Sequence, residues 1–171
     1  MYGLVLGAEK SWSVATAVDD GFYRRVDALL YENPNGIRYL KALNELHSMV
    51  DWREFCCAYF YHRYGYVGDK TEVTIDIAAV QKAYTALADQ LSGEKWINDE
   101  YRQEMLVAAE GLCVIAELWT NLLGLSVERL TDTREWMQKY AEKWLQKNQP
   151  NELYRIQELF DYCEGISSVT K

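Results

Sequence analysis

A mainly α-helical bundle of about six to seven helices, preceded by one short β-strand, is the fold class this sequence predicts. Three observations predict it. Apolar residues recur at helical spacing through most of the chain after residue 19. The periodic runs begin at Asp or Asn and end at Gly or at an Asn-Pro break. Only the opening segment, Tyr2-Gly-Leu-Val-Leu-Gly-Ala8, is apolar on both faces in the manner of a covered parallel strand.

That strand needs hydrogen-bonding neighbours, because a single strand satisfies none of its own N–H and C=O groups. Parallel neighbours arrive through crossover connections, and the rest of the chain is mostly helical, so the expectation is that the partners lie outside it. After Glu9-Lys-Ser-Trp-Ser-Val14, the Asp19-Asp20 pair suits a helix N-cap, with Phe22, Val26, Leu29 and Leu30 following at helical spacing. Asn33-Pro34-Asn35-Gly36 is a turn. The next helix carries Ile37, Leu40, Leu43 and Leu46 on one face.

A third helix starts at Asp51, with Glu54 placed as a capping-box partner, presents Phe55, Tyr59, Phe60 and Arg63, and stops at Gly65. Residues 66–74 read as a loop with room for one short extended piece. Ile77, Val80, Tyr84, Leu87 and Leu91 form an amphipathic helix ended by Gly93. Asn98 caps a long helix with Tyr101, Met105, Ala108, Leu112, Ile115, Trp119 and Leu122, closed by Gly124. Thr131, with Glu135 nearby, opens a helix bearing Trp136, Tyr140 and Trp144, which Asn148-Gln149-Pro150 breaks. The last helix holds Leu153, Ile156, Leu159 and Phe160, and the tail from Gly165 is expected to fray. No repeat, low-complexity stretch or linker divides the chain. The expected division is 1–18, a remnant of a barrel strand and its loop, and 19–171, a helical domain.

Composition narrows the function. The 171 residues are 49% hydrophobic and 26% charged, a globular balance with enough chain to bury a core. A net charge of −8 repels phosphate backbones and anionic lipid, so neither nucleic acid nor membrane is an expected partner. Aromatic residues reach 13%, which suits sugar or protein surfaces but is first explained by a filled helical core. Cys56, Cys57, Cys113 and Cys163 have no CxxC spacing, and with two histidines no zinc pattern forms; neither metal nor other cofactor is expected. Reduced thiols and the lack of a signal-peptide pattern point to a cytoplasmic protein. Glu110 and Glu117 interrupt the longest apolar stretch and argue against a membrane span.

No catalytic residue is assigned. Asp99-Glu100 is an acidic dipeptide of the sort glycosidases use, yet acidic residues belong in a first helical turn because they complement the helix dipole. Asp19-Asp20 has the same explanation. His47 and His62 stand apart on different helices, with no nucleophile elbow nearby. Cys56 would be reactive only with a cation such as Arg53 stabilising its thiolate. Trp12 either stacks on a sugar face just past the strand or anchors the strand to the next helix, and Glu9 at the strand's end could accept hydrogen bonds from hydroxyls.

Two segments carry a family resemblance. Gly3-Leu-Val-Leu-Gly-Ala-Glu-Lys-Ser-Trp-Ser13 resembles the last barrel strand and loop of the family 20 glycoside hydrolases, the β-N-acetylhexosaminidases. Tyr140-Ala-Glu-Lys-Trp-Leu-Gln-Lys-Asn-Gln-Pro-Asn-Glu-Leu153 is similar to the helical region that follows the barrel in some members, and Tyr31-Glu-Asn-Pro34 suits the first helix–turn after the barrel. The resemblance implies a C-terminal part of such an enzyme: its eighth strand plus the helical domain beyond.

In that family the adjacent Asp-Glu pair ends the fourth strand, the substrate's acetamido group is the nucleophile and the Glu is the general acid. Asp99-Glu100 follows no strand and does not match that pair. Many members carry Trp-x-Glu on the eighth strand; here Ser13-Val14 follows Trp12, leaving Glu9 as the nearby sugar-binding candidate. The implied function is a non-catalytic helical domain that packs against the catalytic barrel, with a contact for dimerisation and an N-acetylhexosamine-containing glycan as ligand. The alternative is a self-contained all-α interaction module that homodimerises.

Overall fold

The computed structural model describes Ala8, residues 17–65 and residues 75–169. Within them the fold is mainly α, as the periodicity predicts: seven α-helices and one π-helical turn, with no strand among the described residues. The strand expected over residues 2–8 lies outside the described residues except for Ala8, whose backbone is helical.

Helix α1 (Asp20–Val26) runs directly into a π-turn (Asp27–Tyr31). Asp19 caps it, its carboxylate accepting from Phe22 N at 2.9 Å. The π-turn corrects the expected apolar face. A wider i→i+5 turn rotates later side chains away from the α-period, so Leu29 is 83% exposed while Tyr31 takes the buried place. Glu32 closes the turn in the left-handed region, at φ 50°. The buried Asp27 carboxylate then accepts from Ile37 N at 2.6 Å, fastening the π-turn to α2 (Gly36–Ser48). Gly36 is required here: a Cβ would stand 2.5 Å from the Tyr31 ring.

Helix α3 (Trp52–Tyr64) is capped by Asp51, which accepts from Arg53 N and Glu54 N. The Glu54 side chain pairs with Arg53 at 3.1 Å. Gly65, at φ +65°, ends the helix with its N–H on Tyr61 O. Asp76 caps α4 (Ile77–Gly93) by accepting from Ala79 N at 3.0 Å, and Val80, Leu87 and Leu91 form its buried stripe. Gly93 remains inside the helix, with Glu94 as the C-cap.

Helix α5 (Asp99–Leu122) is the axis of the molecule. Asn98 caps it, and α2, α3, α4, α6 and α7 all pack around it. Every residue from Cys113 to Thr120 is buried or nearly so, which is why this stretch reads as apolar on all sides. By length and composition α5 could cross a membrane, but 61% of its most apolar window is buried within the protein. Helix α6 (Thr133–Lys147) starts one step later than expected: Asp132, not Thr131, is the cap and accepts from Glu135 N at 2.8 Å. Helix α7 (Leu153–Val169) continues past Gly165, where fraying was expected. The helices share one apolar core that includes Phe22, Leu46, Phe55, Leu91, Trp119 and Phe160.

Candidate functional site

Trp12 and Glu9, the residues expected to meet a sugar, lie outside the described residues. The other groups singled out in the sequence are tied into the structure. Asp99 stays in the first turn of α5, where Arg102 Nε contacts it at 2.5 Å and Gln103 donates at 2.6 Å; these bonds hold its carboxyl below the usual carboxylate range. Glu100 faces Lys147 at 3.3 Å. His47 is exposed, and His62 Nδ1 lies 2.8 Å from the Tyr162 hydroxyl on α7. All four described cysteines are free thiols. Burial pushes Cys56 up to about 11, the reverse of what a reactive thiolate needs. No metal-ligating cluster occurs among the described residues.

Three features were not legible as sites in the sequence. The first is buried Glu117. Its side chain is inaccessible, and the irregular segment after α5 folds back over it. Oε1 accepts from Gln81 Nε2 and Leu130 N, both at 2.8 Å. Oε2 accepts from the Thr131 hydroxyl at 2.5 Å and from Thr131 N at 3.3 Å. Arg129 Nε stands 3.5 Å away, while its Nη1 reaches Glu164 at 2.6 Å and its Nη2 reaches Thr133 Oγ1 at 2.5 Å. A buried carboxylate with this many donors is satisfied. It pins the segment between α5 and α6 to the core.

The second feature is the outer face of α3. The inner face buries Phe55 and Tyr59. The outer face leaves Trp52 42%, Phe60 47% and Tyr64 53% exposed. Phe60 and Tyr64 stack at 6.0 Å with 27° between their planes, and Arg63 lies over the Tyr64 ring at 5.1 Å. Phe60 and Tyr64 are i, i+4 neighbours on one side of the helix, and Trp52 lies eight positions before Phe60.

The third is a groove of about 410 Å³ between α5, α6 and α7, with Trp52 at one edge. Leu112, Ile115, Ile156 and Phe160 form its apolar lining, and Trp136, Tyr140 and Trp144 line the α6 side. Trp136 stacks on Tyr140 at 5.2 Å, and Tyr140 is 5.9 Å from Trp144. Gly111 lets the groove exist in this form, because a Cβ there would stand 2.7 Å from Trp136 Cζ2. Glu104, Lys143 and Lys147 stand along the groove as its charged residues. Comparison with family models, with curated proteins and with solved structures finds no match for this chain.

Proposed function

We propose that this chain is a non-catalytic helical docking domain whose α3 face packs against a larger protein partner. The observation that carries the reading is the row of half-exposed aromatic side chains on α3, Trp52, Phe60 and Tyr64. Adjacent exposed aromatic groups mark interaction surfaces, because burying them on a partner removes apolar area from water. The family resemblance of residues 3–13 and 140–153 supplies the partner: the barrel of a glycoside hydrolase like the β-N-acetylhexosaminidases. In this reading the helical domain stabilises the barrel and contributes no acid or base to hydrolysis. Asp19 caps a helix, and Asp99, Glu100 and His62 have side-chain partners that account for their positions.

Light scattering and an activity assay test the reading. Turnover of aryl N-acetylhexosaminides by this chain would overturn its non-catalytic role. The chain should bind a barrel domain of such a hydrolase, and Phe60→Glu with Tyr64→Glu should abolish that binding without unfolding the helices. A stable species of twice the 19.9 kDa mass, dissociated by the same pair of changes, would instead identify the face as a homodimer contact.

A further inference from the structure

The groove between α5, α6 and α7 shares Trp52 with the α3 face but has a chemistry of its own. We propose that it binds an amphiphile with an apolar body and a single anionic head group, such as a medium-chain alkyl carboxylate. Its volume, about 410 Å³, falls within the ordinary range of small-molecule sites, roughly 300–1,000 Å³.

Two observations define the ligand. The first is that the two α6 indoles in the aromatic wall have no donors to offer. Trp136 Nε1 donates to Val107 O at 2.9 Å, and Trp144 Nε1 donates to Gln149 O at 2.8 Å. With both indole N–H groups committed, the wall presents carbon apart from the single hydroxyl of Tyr140. A polyhydroxylated sugar entering here would give up water with few replacement hydrogen bonds, at a cost in affinity for each stranded hydroxyl. An alkyl or flat aromatic body has no such cost.

The second observation is the lysine row on α6. Lys139, Lys143 and Lys147 recur every four residues. Lys139 pairs with Glu110 at 3.1 Å and with Glu135 at 3.0 Å. Lys147 pairs with Glu104, and with Glu100 at 3.3 Å. Lys143, half-buried at the groove, has no ion pair or hydrogen bond among the described residues. Asp99 feels its charge but is already held by Arg102 and Gln103. An ammonium with no ion pair among the described residues, beside an apolar groove, is complementary to a carboxylate carried on a hydrocarbon tail.

Calorimetric titration of the whole chain with dodecanoate, below its micelle concentration, tests this. One-to-one saturable binding is expected. Lys143→Gln should weaken it about tenfold, the equivalent of one lost charged contact. Ala108 is exposed and lines the groove, so Ala108→Phe should fill it and abolish binding with an unchanged melting temperature. Dodecyltrimethylammonium, with the same tail and the opposite charge, should bind at least tenfold more weakly than dodecanoate. Absence of saturable dodecanoate binding, equal affinity for the two amphiphiles, or indifference to Lys143→Gln would each overturn the proposal.

Discussion

Gly111 and Trp136 meet so closely that a single methyl group on the glycine would stand 2.7 Å from Cζ2 of the indole. The indole is buried and held by its hydrogen bond to Val107 O, one turn before Gly111 on the same helix. In an open helical position, alanine in place of glycine stabilises by about 1 kcal/mol. Here the ring must move, and Phe160, 4.9 Å away from it, limits where it can go. Gly111→Ala should therefore destabilise by about 1–3 kcal/mol. Urea unfolding reads the sign directly, and a gain in stability would show that the indole has room to shift.

Glu117 is the polar counterpart of that contact. Replacing it with alanine removes the acceptor for Leu130 N, Thr131 N and the Thr131 hydroxyl, and leaves Arg129 beside a cavity. Breaking a buried charged network of this kind costs about 3–5 kcal/mol. Thr131→Val deletes one bond and should cost about 1 kcal/mol. Because both changes affect the same network, the double variant should be less destabilised than the sum of the two. Thermal unfolding of the three variants checks this. Hydrogen exchange should also show residues 123–132 losing protection in Glu117→Ala.

Acid should weaken the tie between the α1–α2 turn and the end of α4. Glu94 accepts from the Tyr39 hydroxyl and, at 2.7 Å, from Asn35 Nδ2. Burial pushes its pKa upward, but the hydrogen bonds from Tyr39, Asn35 and Asn33 outweigh that and hold it below the ordinary 4.5. A carboxyl lowered in the folded state contributes stability that is present above the unfolded value and lost as pH falls through the folded one. The difference in unfolding free energy between the native chain and Glu94→Gln should be largest at pH 7 and shrink below pH 4.5. Asp27 has the opposite sign: burial raises its pKa, so its ionised form costs stability as pH rises through the shifted range. A Glu94→Gln difference that stays flat from pH 7 to pH 3 would remove Glu94 from this role.

The four thiols should separate cleanly in a disulfide-exchange assay at pH 8. Cys57 is exposed and should react first. Burial pushes Cys56 to about 11 and Cys163 to about 12, and raises Cys113 as well. One fast equivalent is expected, followed by release of the others only on unfolding. Cys57→Ser should remove the fast phase; its persistence would mean that one of the other cysteines is more accessible than its burial allows.

Much of the helical order was legible from local signals. Asp19, Asp51 and Asn98 cap where their residue type and spacing placed them, and Gly65 and Gly124 end helices in the left-handed region, at φ +65° and φ +70°. Capping depends on atoms within one turn, so neighbouring residues suffice to read it. The π-turn was not legible. It depends on Tyr31 packing against Gly36 and on Asp27 reaching Ile37 N, pairs separated in sequence by five and ten positions.

The candidate surfaces divide the same way. Aromatic residues at positions 136, 140 and 144 announce a periodic apolar face, but period alone cannot tell a core stripe from an open groove. The folded chain left Tyr140 and Trp144 only half-buried, committed the indole donors of Trp136 and Trp144 to backbone carbonyls, and paired Lys139 and Lys147 while leaving Lys143 between them without an ion pair or hydrogen bond among the described residues. By itself the amino-acid order determined the helices and most of their ends to within a residue or two, since hydrophobic period and capping act over one or two turns. Only the folded chain decided which faces were covered and which polar groups were satisfied, because both depend on what distant helices bring to the same place.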